Sequence, residues 1–235
     1  MYTAKHTFFC ESLDEGVLSS DESNHAVRVL RLQEGNTITL IDGKGQTALG
    51  EITAANKKQL QFKIIERNQL AVRKNQIHIA IAPTKNMDRF SFFIEKVIEI
   101  GVDRITPILT VNSERKTLNA DKVRKNAISA LKQSGNLFLP EIDDLTSYKD
   151  FISNQNNHNQ RFIAHCDNDN DKIELKQALD PQKNIVILIG PEGDFTLEEI
   201  NLAKQNNFNP VSLGNSRLRT ETAGIIACHT VHLIS

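Results

Sequence analysis

Apolar and polar positions alternate through residues 36–66, first in NTITLID, then in QTALGEIT and QLQFKII, with turn chemistry at Asp42–Gly45. A period of two between short turns predicts antiparallel strands. With the opening stretch that ends Thr7-Phe8-Phe9, this predicts a small β domain closing near residues 70–75. The pattern then changes. QIHIAIA (76–82) is almost continuously apolar, as expected of a strand buried on both faces. Phe93, Ile94, Val97 and Ile98 recur at helical spacing, which predicts a helix over Arg89–Ile100 closed by Gly101. RITPIL predicts a second strand, and Asp121–Ser134 a helix with Val123, Ala127, Ile128 and Leu131 inward. RFIAHC (161–166), NIVILIG (184–190) and PVSLG (210–214) predict three more strands. Helices are expected over Leu175–Leu179, Thr196–Asn207 and Thr222–Leu233. Strands alternating with helices imply a mostly parallel α/β sheet.

The length of 235 residues suits one large domain or two modest ones at ~150 residues per domain. No window approaches the ~18 uncharged apolar residues of a membrane span. The N-terminal segment turns acidic too soon for a signal peptide. Cys10, Cys166 and Cys228 are scattered, without a CxxC pair, so neither a disulfide framework nor a zinc site is expected. DNDNDK (167–172) begins like a calcium loop but has Lys172 at its sixth position and Ala178 at its twelfth, so no metal is expected there. These readings describe a soluble cytoplasmic protein. The net charge of −1 hides an asymmetry: residues 73–135 carry 12 basic and 6 acidic side chains, and residues 136–235 carry 8 and 14. A basic middle segment can present a positive face to phosphates, or it can be an ordinary solvated helix surface.

Two segments carry candidate chemistry. In ILIGPEGDFTLEEI (187–200) an apolar strand runs into a Gly-Pro-Glu-Gly turn, and Thr196 with Glu199 fits a capping box that starts the next helix. Ligands of open α/β sheets bind beyond the carboxyl ends of strands, although two glycines also fit a plain strand-to-helix turn. In SLGNSRLRTETAG (212–224) a second strand ends in glycine, and Arg217 and Arg219 precede the final helix. Helix capping by Thr220 or Thr222, with Arg219 paired to Glu221, is the alternative for that segment, but two strand-end glycine loops in consecutive units favour one shared pocket. Dinucleotide, P-loop, HExxH and GxSxG patterns are absent. His229 and His232 share one helical face and read as structural.

LIGPEGDFTLEE together with SLGNSRLRTETAG resembles the bacterial 16S ribosomal RNA (uracil-N3)-methyltransferases of the SPOUT superfamily. HAVRVLRLQEGNTITLIDGKG (25–45), PTKNMDRFSFFIEKVIEIGVDRITPI (83–108) and LKQSGNLFLPEI (131–142) extend the resemblance over nearly the whole chain. It implies a small N-terminal PUA-like β-barrel domain that binds RNA (1–72) and a C-terminal SPOUT α/β domain with a deep trefoil knot (73–235). It further implies S-adenosyl-L-methionine as cofactor, a homodimer, and 16S ribosomal RNA or the small ribosomal subunit as partner. Carried over residue by residue, the cofactor positions are Ile189, Gly190, Pro191, Gly193, Leu213, Gly214, Asn215, Leu218, Thr220 and Ala223. Arg219 and Glu221 are the expected catalytic pair, the first stabilising charge on the base and the second orienting it or assisting proton removal. Arg28, Arg31, Lys85, Arg89, Arg115, Lys116, Arg124 and Lys132 are expected on the RNA backbone. This chain departs from the family pattern at Thr7, Asn136 and Ser216, where arginine is usual. A catalytically weakened RNA-binding protein of the same fold, or the same chemistry on another RNA, are the alternatives.

Overall fold

The computed structural model describes residues 4–154, 160–167 and 172–234. Most of the Asn-rich tract at 154–160 and of the acidic tract at 167–172 lies outside the described residues. The chain divides into two compact units, Met1–Val72 with Leu131–Leu139, and Arg73–Ala130 with Pro140–Ser235.

In the first unit, β1 (Thr7–Phe9) runs parallel to β2 (Thr37–Ile41), and β2, β3 (Gln46–Ala54) and β4 (Gln61–Gln69) form an antiparallel meander. Alternation places Ile38, Leu40, Ile52 and Phe62 inward, against Phe8, Leu18 and Leu60. Between β1 and β2 lies a short helix, α1 (Ser20–Asn24), whose cap Ser19 accepts the Glu22 N–H. A π-helical turn (His25–Val29) continues it, and Arg31 leaves it at φ 56°. The β2–β3 turn is set by Asp42, whose carboxylate accepts the Lys44 and Gln46 N–H groups at 2.7 and 2.9 Å. Residues 131–139 belong here by packing, although the sequence pattern groups them with the second domain. The Gly45 N–H donates to Leu137 and the Leu139 N–H to Gly43, so the glycine-rich turn holds this later segment.

The second unit holds β5 (Ile77–Ile81), α2 (Met87–Ile100), β6 (Arg104–Leu109) and α3 (Ala120–Ser134), the last running on into residues of the first unit. β7 (Glu141–Ile142), β8 (Thr146–Ser147), α4 (Tyr148–Ser153), β9 (Gln160–Ala164), β10 (Ile173–Glu174) and α5 (Leu175–Ala178) follow. β11 (Ile185–Ile189), α6 (Leu197–Gln205), β12 (Asn209–Ser212) and α7 (Thr220–Ile234) complete it. The sheet order is β10-β12-β9-β11-β5-β6-β7, with β8 also on β6, and every pair is parallel. β5 and β11 are buried along their whole length, which is why they lack polar alternation. Tyr148, Phe151, Phe195, Ile200 and Phe208 cover one face with Val186 and Leu188. α2 and α7 pack together, with Gly224 so close to Phe93 that a Cβ there would lie 2.5 Å from the ring.

A polar cluster sits at the N-terminal ends of β5 and β6. Arg104 forks onto Asp143 through Nε and Nη2, both at 2.8 Å; Thr106 also donates to Asp143, and the buried His78 Nε2 lies 2.7 Å from Thr106 Oγ1. Burial alone would raise the Asp143 pKa, but the bonds from Arg104 and Thr106 outweigh it and hold it below the usual carboxylate range.

Candidate functional site

The opposite, carboxyl ends of the strands carry the candidate chemistry. β11 ends at Ile189, and the following turn closes with the Asp194 N–H on the Pro191 carbonyl at 2.9 Å. Gly190 is needed for close approach: a Cβ there would lie 3.1 Å from the Phe195 ring. The capping box forms as the sequence predicts, with Glu199 N–H on Thr196 Oγ1 and Thr196 N–H on Glu199 Oε2. Glu199 does more than cap, since its Oε1 accepts the Val111 N–H at 2.9 Å from the loop after β6. Asn112 in that loop donates to the carbonyls of Gly193 and Asp194 at 3.1 and 3.0 Å, and the Lys85 N–H donates to Glu192 at 3.0 Å. The 190–196 turn is thus fixed from two neighbouring loops before any ligand arrives.

The second loop leaves β12 at Ser212, whose hydroxyl accepts the Gly214 N–H and donates to the Gly214 carbonyl. Gly214 has φ 124° and open space where a side chain would stand, so backbone is presented bare to whatever binds there.

These loops enclose a cavity of about 760 Å³. Of the expected cofactor residues, Ile189, Gly190, Pro191, Leu213, Gly214, Asn215, Leu218, Thr220 and Ala223 line it together. Gly193 is not in the lining. It faces Asn112, where a Cβ would lie 3.2 Å from the Asn112 Cβ. Arg219 is exposed and lines the cavity, whereas Glu221 is buried in the first turn of α7 and does not. Its Oε2 has no hydrogen-bond partner among the described residues. Arg219 is thus exposed at the cavity wall and Glu221 is buried in the first turn of α7.

The expected RNA residues fall in both units. Arg89 lines the cavity, with Arg217 and Lys172 adding positive charge to its wall. Lys85 is exposed and paired with Glu114 at 2.6 Å, which holds its pKa up. Arg115 straps the loop after β5 by donating to the carbonyls of Thr84 and Lys85. Lys116 and Arg124 are exposed in the second unit, and Arg28 and Arg31 in the first. Lys132 is largely buried, with its ammonium 2.6 Å from Glu22, so it is an internal ion pair and not a free surface cation.

The end of β9 supplies lining that sequence reasoning missed: Ala164, His165 and Cys166, with Lys172 beyond. The one available signal was RFIAHC itself, predicted as a strand; the structure places it parallel beside the GPEG strand, so its carboxyl end opens on the same edge. His229 and His232 do not meet the cavity; His232 contacts Arg73 at 3.2 Å. Among the described residues no three His, Cys, Asp or Glu side chains are grouped to hold a metal ion, and no helix is long and apolar enough to cross a membrane.

Residues 72–232 match the RNA methyltransferase domain family, and residues 18–65 match the RNA methyltransferase PUA domain family. The chain is similar to "Ribosomal RNA small subunit methyltransferase E" of Rickettsia conorii, at 30% identity over 92% of this chain and 89% of the relative. A crystal structure of the protein of that name from Neisseria gonorrhoeae, bound to S-adenosyl methionine, is similar with a TM-score of 0.84 at 26% identity, covering 97% of each chain. The "probable rRNA-methyltransferase" of Porphyromonas gingivalis is similar with a TM-score of 0.88 at 35% identity, over 97% of this chain and 98% of that one.

Proposed function

The chain belongs to the RNA methyltransferase family, and from that premise we propose that it transfers the methyl group of S-adenosylmethionine to N3 of a uracil in 16S ribosomal RNA. One observation carries the reading. The two strand-end loops that resemble the family's cofactor motifs converge on one cavity, with apolar walls from Ile189, Leu213 and Leu218 and bare backbone at Gly214. Apolar walls with exposed amides and carbonyls suit an adenosine whose base edge needs both donors and acceptors. When bound, the cofactor supplies an already activated methyl group, so the protein's work is placement.

Uracil N3 is a pairing position, so the base must be unpaired or turned outward to be reached. Arg219 stands at the cavity wall and stabilises the negative charge that spreads to the uracil O2 or O4 as the N3 proton leaves. Glu221 acts as a positioning residue: buried in the first turn of α7, it orients the segment that carries Arg219. Arg89 and Arg217 supply charge for the phosphates of the target strand, while the Lys172 ammonium is held by the carbonyls of His165 and Asp167. The reading includes a deep trefoil knot in the C-terminal α/β domain, a closed barrel in the PUA domain and cytoplasmic action. It also includes a homodimer formed on α2 and α7, a proposal supported by the half-exposed Phe92 and the exposed Leu233.

The test is methyl transfer from labelled S-adenosylmethionine to small ribosomal subunits lacking their N3-methyluridine, with the product nucleoside mapped. N3-methyluridine at a single site is the expected result. Cofactor binding without transfer to subunits or to free RNA would overturn it in favour of a binding protein of the same fold.

A further inference from the structure

Asp194 stands in the left-handed region, at φ 61°, where glycine sits without cost and an L side chain does not. Its side chain explains why an aspartate is held there. Oδ2 accepts the Cys166 N–H at 2.7 Å and Oδ1 accepts the Phe195 N–H at 2.8 Å. Cys166 follows β9 and Asp194 follows β11, adjacent strands whose ends both line the cavity. The carboxylate is therefore a clamp between two walls of one site, while the Asp194 backbone is fixed to Pro191 and Asn112.

We infer that Asp194 is a positioning residue for the cofactor, tying the end of β9 to the Gly-Pro-Glu-Gly turn through its carboxylate. This rests on the S-adenosylmethionine reading above. The clamp has a second consequence for Cys166, the exposed cysteine of the three. Burial, and then the Asp194 carboxylate, push its thiol pKa up, against the opposing pull of Arg217 and Lys172. A nucleophilic thiolate is thereby kept scarce in a cavity that accepts an electrophilic methyl donor.

The decisive variant is Asp194→Gly in the full chain. If the position matters only as a backbone turn, glycine relieves the left-handed residue and cofactor binding is unchanged or better. If the carboxylate clamps the walls, the Kd for S-adenosylmethionine by calorimetry rises at least tenfold, while the melting temperature does not fall. Asp194→Asn keeps one acceptor oxygen, enough for one of the two N–H groups, and turns an NH2 donor toward the other while losing the charge, and its Kd rises about threefold. The second readout is alkylation of Cys166 by iodoacetamide, in which the sulfur–carbon bond forms, iodide leaves and the thiol proton goes to solvent. Its pH profile moves to lower pH in Asp194→Asn, and the buried Cys10 and Cys228 do not interfere. Wild-type cofactor affinity in Asp194→Gly, or an unshifted alkylation profile in Asp194→Asn, overturns the inference. A wild-type chain that binds no S-adenosylmethionine overturns the proposed function instead, and the alkylation profile then still tests the clamp.

Discussion

Gly193 shows how a residue acts on a site without touching it. Its carbonyl and that of Asp194 are held by Asn112, and the place where a side chain would begin is 3.2 Å from Asn112. In Gly193→Val the γ methyls displace Asn112 and break two hydrogen bonds. At about 1 kcal/mol each this costs roughly 2 kcal/mol of loop order, a loss of about thirtyfold in affinity for S-adenosylmethionine with the fold retained. Calorimetry checks it, and unchanged affinity would remove the loop from the site. Arg219 is the converse case. It lines the cavity, is exposed and takes part in no ion pair among the described residues. Arg219→Ala should leave cofactor affinity near wild type and lower the single-turnover methylation rate by roughly 10²–10³, the usual effect of removing one charge-stabilising donor. An unchanged rate would end its catalytic role. The two loops were legible in sequence because strand ends followed by glycine, and in one case by a helix cap, mark them, whereas their assignment to a cofactor came only from the resemblance to the family. The Asp194–Cys166 bond was not, because a carboxylate reaching 28 positions back leaves no periodic trace.

Elements meet where residue size permits, and the α2–α7 contact is the sharpest instance. Both helices were legible from their apolar spacing, but their mutual approach was not, since it depends on Gly224 reading as an ordinary mid-helix residue. Gly224→Ala gains about 1 kcal/mol in helix propensity. It also places a methyl 2.5 Å from the Phe93 ring and 3.0 Å from Ile81, and overpacking of that kind costs ~1–3 kcal/mol. The clash wins, and the melting temperature should fall. The short elements β7, β8, β10 and α4 escaped the sequence pattern because two to six residues do not establish a period. One of their neighbours nonetheless governs acid stability. Asp143 follows β7, and its lowered pKa means that its contribution is complete above the unfolded value near 4 and is lost as pH falls through the lower folded value. Asp143→Asn should lower stability at neutral pH by roughly 1.5–3 kcal/mol, the range for charged hydrogen bonds, and flatten the acid limb of the stability curve below about pH 4. Denaturant midpoints measured from pH 2 to 7 decide it.

At the scale of the whole molecule, charge counted along the chain left open whether the basic segment is a positive face or an ordinary solvated surface, and the pairings of its cations narrow the choice. The basic segment 73–135 suggested one positive face, yet Lys132 pairs with Glu22, Lys85 with Glu114, and Arg115 is spent on backbone carbonyls. Such pairings depend on contacts across 110 and 29 positions for the two lysines, which no local window contains. Lys132→Ala and Arg31→Ala separate the two kinds of cation. Removing Lys132 leaves the Glu22 carboxylate buried with no charge opposite, at a cost of about 3 kcal/mol in stability. If Lys132 touches no phosphate, the salt dependence of RNA binding should keep its slope in that variant. Arg31 is exposed, so Arg31→Ala should leave stability within about 0.5 kcal/mol. If Arg31 makes one phosphate contact, as proposed for the RNA backbone, its loss should reduce the log–log salt slope by about 0.7–0.9. Binding titrations of the substrate RNA at several salt concentrations, paired with urea midpoints for the same proteins, read both axes. A slope lost with Lys132, or stability lost with Arg31, would reverse the assignment of which cations face the RNA and which hold the fold.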